Sequence, residues 1–128
     1  DPAILRIVGD VREKRILDAG CGEGYLSRML ASNGARVTGV NTSASTIELA
    51  TLDEDREPLG ATCLQGDKTR MPFLSDSTVD VVLTNVFIDD VEDLGGALCE
   101  LFRLLRSGGI YVQATVRPCF GTPVAGWR

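Results

Sequence analysis

The sequence predicts an α/β domain: a doubly wound parallel sheet with helices laid against it. Three observations carry that expectation. Apolar, β-branched runs alternate with segments of helical periodicity along the chain. Residues 16–24 read Ile-Leu-Asp-Ala-Gly-Cys-Gly-Glu-Gly, a strand end followed by a glycine turn, and Tyr25-Leu26 with Met29-Leu30 continue as one apolar helical face. Polar or small residues stand at the ends of the later strands, in Asn41-Thr42, Gly66-Asp67-Lys68 and Thr84-Asn85-Val86. Such alternation implies parallel strands joined by right-handed crossovers, and ligands in sheets of this kind sit beyond the carboxyl ends of the strands.

Each element follows from local signals. Ile4, Leu5 and Val8 suggest a short helix from Pro2 to about Gly9. Arg15 to Ala19 is the first strand, and a helix runs from about Tyr25 to Asn33, stopped by Asn33-Gly34. Arg36 to Val40 is the second strand. Ser45-Thr46-Ile47-Glu48 has the form of a capping box, with Ser43 an equally good cap, for a helix to about Glu54. Ala61 to Gln65 is a third strand, followed by a loop rich in turn formers from Gly66 to Thr78. Val79 to Thr84 is a fourth. Leu94, Leu98, Leu101 and Leu105 define a helix from about Val91 to Arg106, with acids at its start and Arg103 and Arg106 near its end. Gly95-Gly96 weakens it by roughly 1 kcal/mol per glycine, which close helix–sheet packing would explain. Gly108-Gly109 should end that helix, and Ile110 to Val116 is the fifth strand. Residues 117–128 hold two prolines and two glycines and read as an irregular tail.

Composition narrows the function. The 128 residues fit one domain spanning 1–128. A net charge of −5 repels a phosphate backbone, so nucleic acid is not an expected partner. No stretch has the ~20 apolar residues of a membrane span, and no signal peptide is visible. The chain has no histidine, which removes histidine bases, His-based triads and most zinc sites; no metal site is expected. Cys21, Cys63, Cys99 and Cys119 are far apart in sequence and form no C-x-x-C pair, so they read as reduced, mostly buried thiols of a cytoplasmic protein.

The glycine loop separates two ligand classes. A dinucleotide site wants G-x-G-x-x-G without a preceding acid. Here the spacing is G-x-G-x-G, and Asp18 would repel a pyrophosphate while attracting a cationic amino-acid end. With this loop, Val37-Thr38-Gly39-Val40, Gly66-Asp67 followed by Met71-Pro72-Phe73, the run Asp76 to Asp80, and Ala97 to Val112, the chain resembles the class I S-adenosylmethionine-dependent methyltransferases. The likeness covers about residues 12–115 and lies toward the small-molecule branch related to quinone biosynthesis.

That resemblance implies a Rossmann-like fold of strand order 3-2-1-4-5, S-adenosyl-L-methionine as cofactor and methyl transfer to a small-molecule oxygen, nitrogen or carbon. It implies that Gly20, Cys21 and Gly22 hold the methionyl part and that Asp18 acts on its amino group, directly or through water. The end of the second strand, Asn41 and Thr42, would face the ribose. There the family usually carries an acid, so Asn41 is a departure that gives up charge-assisted bonding. Asp67 would accept from the adenine amino group, with the Lys68 N–H facing the ring. Asn85 and Val86 would line the methionine side. Asp89 and Asp90 stand where related enzymes often carry histidines; they can accept a proton from an acceptor hydroxyl or amine, or simply cap the next helix.

The family's terminal strands and the larger part of its lid are missing from the 128 residues. An alternative reading is therefore a non-catalytic module that binds the cofactor weakly or serves a partner protein. The fifth strand would lie at a sheet edge, so the sequence also predicts self-association there or covering by the tail, with Phe120 and Trp127 packed over it.

Overall fold

A computed structural model describes residues 6–21, 24–67, 69–87, 94–117 and 122–125. Among the described residues six strands form one sheet in the order β3-β2-β1-β4-β5-β6. The strands are β1 (Arg15–Ala19), β2 (Arg36–Asn41), β3 (Thr62–Gln65), β4 (Val79–Phe87), β5 (Leu105–Arg117) and β6 (Thr122–Ala125). Among the described residues three helices connect them: α1 (Tyr25–Ser32), α2 (Ala44–Arg56) and α3 (Leu94–Leu104). β1 to β5 pair in parallel, and β6 returns antiparallel along β5.

Side-chain alternation along the strands builds two cores. Ile16, Val37, Val81, Leu83 and Val112 pack on one face with Leu30 and Ala31 of α1. Leu17, Ala19, Val40 and Val82 pack on the other with Met71 and with Leu101 and Leu104 of α3. Arg28 and Glu54, largely buried and 2.7 Å apart, join α1 to α2.

Several boundaries differ from those expected. The cap of α2 is Ser43, whose Oγ accepts from the Thr46 N–H at 3.3 Å; the Ser45 capping box is not used. β4 continues past Thr84 to Phe87, because its backbone stays paired with β5 through Val116. α3 ends at Leu104, ahead of Gly108-Gly109. The pairing of β5 with β4 jumps from Leu105 opposite Val79 to Ile110 opposite Val81, so 106–109 bulge out of the ladder. Both glycines serve that bulge: Gly108 has φ 81°, and a Cβ on Gly109 would stand 2.8 Å from the Asp80 carbonyl. The tail is not wholly irregular, since β6 pairs with Ala114 to Arg117 and covers that part of the β5 edge. Phe120 and Trp127 lie outside the described residues, as do residues 2–5 of the expected N-terminal helix, of which residues 6–8 are helical.

The long 66–78 connection is fixed by one arginine. Arg103 of α3 donates to both oxygens of Glu100, to the carbonyls of Met71 and Leu74, and to Asp76. Glu100 in turn accepts from the Met71 N–H. With the guanidinium beside it, the Glu100 carboxyl is held down to about 2.

Close packing does not explain Gly95-Gly96. A Cβ on Gly95 would meet nothing within 4 Å, and one on Gly96 would only reach the Thr69 side chain at 3.6 Å. Gly95→Ala is therefore expected to raise unfolding free energy by roughly 0.5–1 kcal/mol in urea titration, through a less free unfolded chain. Destabilisation would mean that the helical backbone at Gly95 is not one alanine accepts.

Candidate functional site

The strand order brings the carboxyl ends of β1, β2, β3 and β4 to one edge. Ala19 lies opposite Val40 and Thr84, and Asn41 opposite Gln65. The Gly66 N–H donates to the Asn41 carbonyl at 2.9 Å, which sets the start of the 66–78 loop beside the end of β2.

The glycine loop lies down on β2. The N–H groups of Gly20 and Cys21 both donate to the Val40 carbonyl, at 2.7 and 3.0 Å. Those two donors are thereby taken. What the loop leaves open is space: Gly20 has φ 88°, and a Cβ there would meet nothing within 4 Å. The turn ends at Gly24, which caps α1 with φ 86° and no side-chain hydrogen bond.

Gly39 makes this packing possible. A Cβ there would stand 2.8 Å from the Cys21 Cβ, and 2.9 Å from both the Cys21 Sγ and the Ser27 Oγ. Neither Gly39 nor Ser27 was among the expected site residues. The signals are nevertheless in the sequence: a glycine inside a strand marks a close approach, and a serine on an apolar helical face marks a buried polar contact.

That contact is to Asp18. Its side chain is 2% exposed, and Oδ2 accepts from the Ser27 hydroxyl at 2.8 Å. Burial pushes the Asp18 carboxyl up from 3.8 to about 6, with the Ser27 hydrogen bond pulling the other way. Asp18 is thus a desolvated acid under a glycine loop, positioned to gain from a cationic group.

The other expected residues have local partners. Asn41 is partly buried, and its Oδ1 accepts from the Ser43 N–H at 2.9 Å, so the amide oxygen serves the turn into α2. Thr42 is exposed, and its carbonyl accepts from Gln65 Nε2 at 3.2 Å. Asp67 Oδ1 accepts from the N–H and hydroxyl of Thr69, at 2.8 and 2.7 Å. Asn85 and Val86 extend β4 opposite Ala114 and Thr115. Gly22, Lys68, Asp89 and Asp90 lie outside the described residues. The buried Thr84 Oγ1 has no hydrogen-bond partner among the described residues.

The cysteines also depart from expectation. Cys63 of β3 lies opposite Gly39, so it and Cys21 flank the same glycine. Both are reduced and partly buried, whereas Cys99 is exposed on α3; Cys119 lies outside the described residues. The interaction of the two thiols raises the Cys21 pKa and lowers that of Cys63. Among the described residues no cluster of His, Cys, Asp or Glu could hold a metal ion, and no helix is long and apolar enough to cross a membrane.

A family model described as "Methyltransferase domain" matches residues 17–113, from the strand leading into the glycine loop to the middle of β5. The chain belongs to the class I S-adenosylmethionine-dependent methyltransferases. This methyltransferase domain is 31% identical over 113 residues to a malonyl-[acyl-carrier protein] O-methyltransferase of Hamiltonella defensa, covering 88% of this chain and 42% of that protein. It is 32% identical over 107 residues to a ubiquinone biosynthesis O-methyltransferase of Rickettsia typhi, covering 84% and 43%. The solved S-adenosylmethionine-dependent methyltransferase of Mesorhizobium loti superposes with a TM-score of 0.78 at 26% identity, covering 91% of this chain and 53% of that one. The domain therefore spans less than half the length of the curated relatives it matches.

Asp18 makes folding sensitive to pH in a stated direction. Its folded pKa is raised, to about 6, so its contribution is full below about pH 4 and is lost as pH rises through about 6. Asp18→Asn removes that titration. In urea titrations the variant is expected to gain on the parent by on the order of 2–3 kcal/mol between about pH 4 and pH 8. A difference that stays flat across this range would contradict a desolvated Asp18.

Proposed function

We propose that this domain binds S-adenosylmethionine across the carboxyl ends of β1, β2 and β3 and transfers its methyl group to a small-molecule acceptor. Oxygen is favoured among oxygen, nitrogen and carbon acceptors because both named curated relatives are O-methyltransferases. The observation that carries the reading is Asp18: a buried carboxylate with a raised pKa, held by Ser27 beneath a glycine loop. Such a group favours a ligand with an ammonium end and disfavours a phosphate.

The residues fit that cofactor. The space over Gly20 admits a ligand chain at the loop, and Gly20, Cys21 and Gly22 are assigned to the methionyl part. Asp18 is assigned to the amino group of the methionyl end. At the next strand end, Asn41 and Thr42 are assigned to the ribose; with Oδ1 on Ser43, Asn41 offers its amide N–H group there. Asp67 and Lys68 are assigned to the adenine, and Asn85 and Val86 to the methionine side. The bound cofactor supplies an already activated methyl on a sulfonium, so the chain's own work is to bind, align and exclude water. Asp89 and Asp90 are assigned to proton acceptance from the acceptor.

Asn41 in place of an acid favours the weaker form of this reading, a domain that binds cofactor but does not turn it over. Calorimetric titration with S-adenosylhomocysteine decides whether there is a cofactor site at all: saturable binding is expected, and its absence overturns the proposal. Asn41→Asp is expected to tighten binding by about 1 kcal/mol, roughly fivefold. One carboxylate oxygen would stay on the Ser43 N–H and the other would accept from a ribose hydroxyl. Unchanged or weaker binding would remove Asn41 from the ribose.

A further inference from the structure

We propose that Cys21 and Cys63 are a modification site, closing to a reversible disulfide under a peroxide, and that this bond weakens cofactor binding. Two residues 42 positions apart in sequence meet here because of Gly39. Cys63 sits opposite Gly39 on the neighbouring strand, and Cys21 lies over the α-carbon of Gly39, with its Sγ 2.9 Å from where a Cβ would be. The Cys63 Sγ also lies 3.4 Å from where a Cβ on Gly24 would be, so both sulfurs border the glycine turn. Gly39 and Cys63 are paired residues of adjacent strands, about 4.8 Å apart, so Cys21, seated over Gly39, has Cys63 as its neighbour across the strand pair.

The pair divides the two roles of the reaction. The Cys21 thiol beside it and the positive charge of Arg28 lower the Cys63 pKa against burial and the acids Asp18 and Glu54. Of the two thiols, Cys63 is the one assigned to attack. Its sulfur attacks the peroxide O–O bond, forming S–OH and releasing hydroxide, which is protonated to water. The Cys21 sulfur then loses its proton and attacks the sulfenic sulfur. The S–S bond forms, the S–O bond breaks, and a second water leaves. Two thiols are oxidised by two electrons and one peroxide is reduced.

The bond moves the cofactor loop. The sulfurs must close to about 2 Å, which draws Cys21 toward β3. Cys21 and Gly20 share the Val40 carbonyl as their acceptor, so displacing one disturbs the other at the open position of the turn. A thiol reductant reverses the step.

The effect on binding rests on the cofactor site proposed above; the disulfide does not. The test uses the full chain with a slight excess of hydrogen peroxide. Digestion under non-reducing conditions, read by mass spectrometry, is expected to show the Cys21 and Cys63 peptides joined with loss of two hydrogens. Titration with S-adenosylhomocysteine is expected to show binding at least tenfold weaker than in the reduced protein, restored by dithiothreitol. Cys63→Ser is expected to give no joined peptide and to bind equally before and after peroxide. Absence of the joined peptide, or joining only through Cys99 or Cys119, overturns the site. A joined peptide with unchanged binding overturns the switch, as does peroxide-sensitive binding in Cys63→Ser. Failure of the reduced protein to bind would instead overturn the cofactor reading, with the disulfide still decided by the peptide map.

Discussion

The site depends on the missing side chain of Gly39. Without a Cβ at that position, β2 accepts the Cys21 side chain directly against its backbone. The loop then settles low enough for the Gly20 and Cys21 N–H groups to reach one carbonyl, that of Val40. Ser27 comes down with it and meets Asp18. A single close approach thus fixes the loop, orients the buried acid and creates the open position at Gly20.

The rest of the architecture supports that edge from a distance. Asp18 and Gly39 project to the side of the sheet that α1 covers, while Arg103 works on the other side, where it holds the 66–78 connection against α3. That connection begins at Gly66, hydrogen-bonded to Asn41, so the anchoring of α3 extends to the end of β2. The chemistry assigned to the site needs this rigidity. An activated methyl group asks the protein for alignment more than for acid or base strength, and a chain without histidine can meet that demand.

Much of this was legible in the residues. The five parallel strands and the glycine loop follow from apolar periodicity and from one motif, because both report backbone demands that few residue types satisfy, while the strand order followed from the family resemblance. The end of α3 was misplaced at Gly108-Gly109, since a glycine pair after a helix resembles a stop signal and only the sheet pairing shows that it serves a bulge. β6 was missed because Pro123 and its neighbouring glycines read as irregular, and an edge strand tolerates proline. At the site, Asp18 was visible but its burial was not, as burial depends on Ser27 arriving from the next element. The meeting of Cys21 with Cys63 was beyond local reading, for it is set by the register of β2 with β3.

The most direct measurement is titration of Gly39→Ala with S-adenosylhomocysteine, alongside its urea unfolding curve. The added methyl must displace Cys21 and Ser27, so affinity is expected to fall at least tenfold while a cooperative unfolding transition persists, lowered by about 1–3 kcal/mol. Binding and stability both equal to the parent would contradict the account, because the loop would then not rest on Gly39.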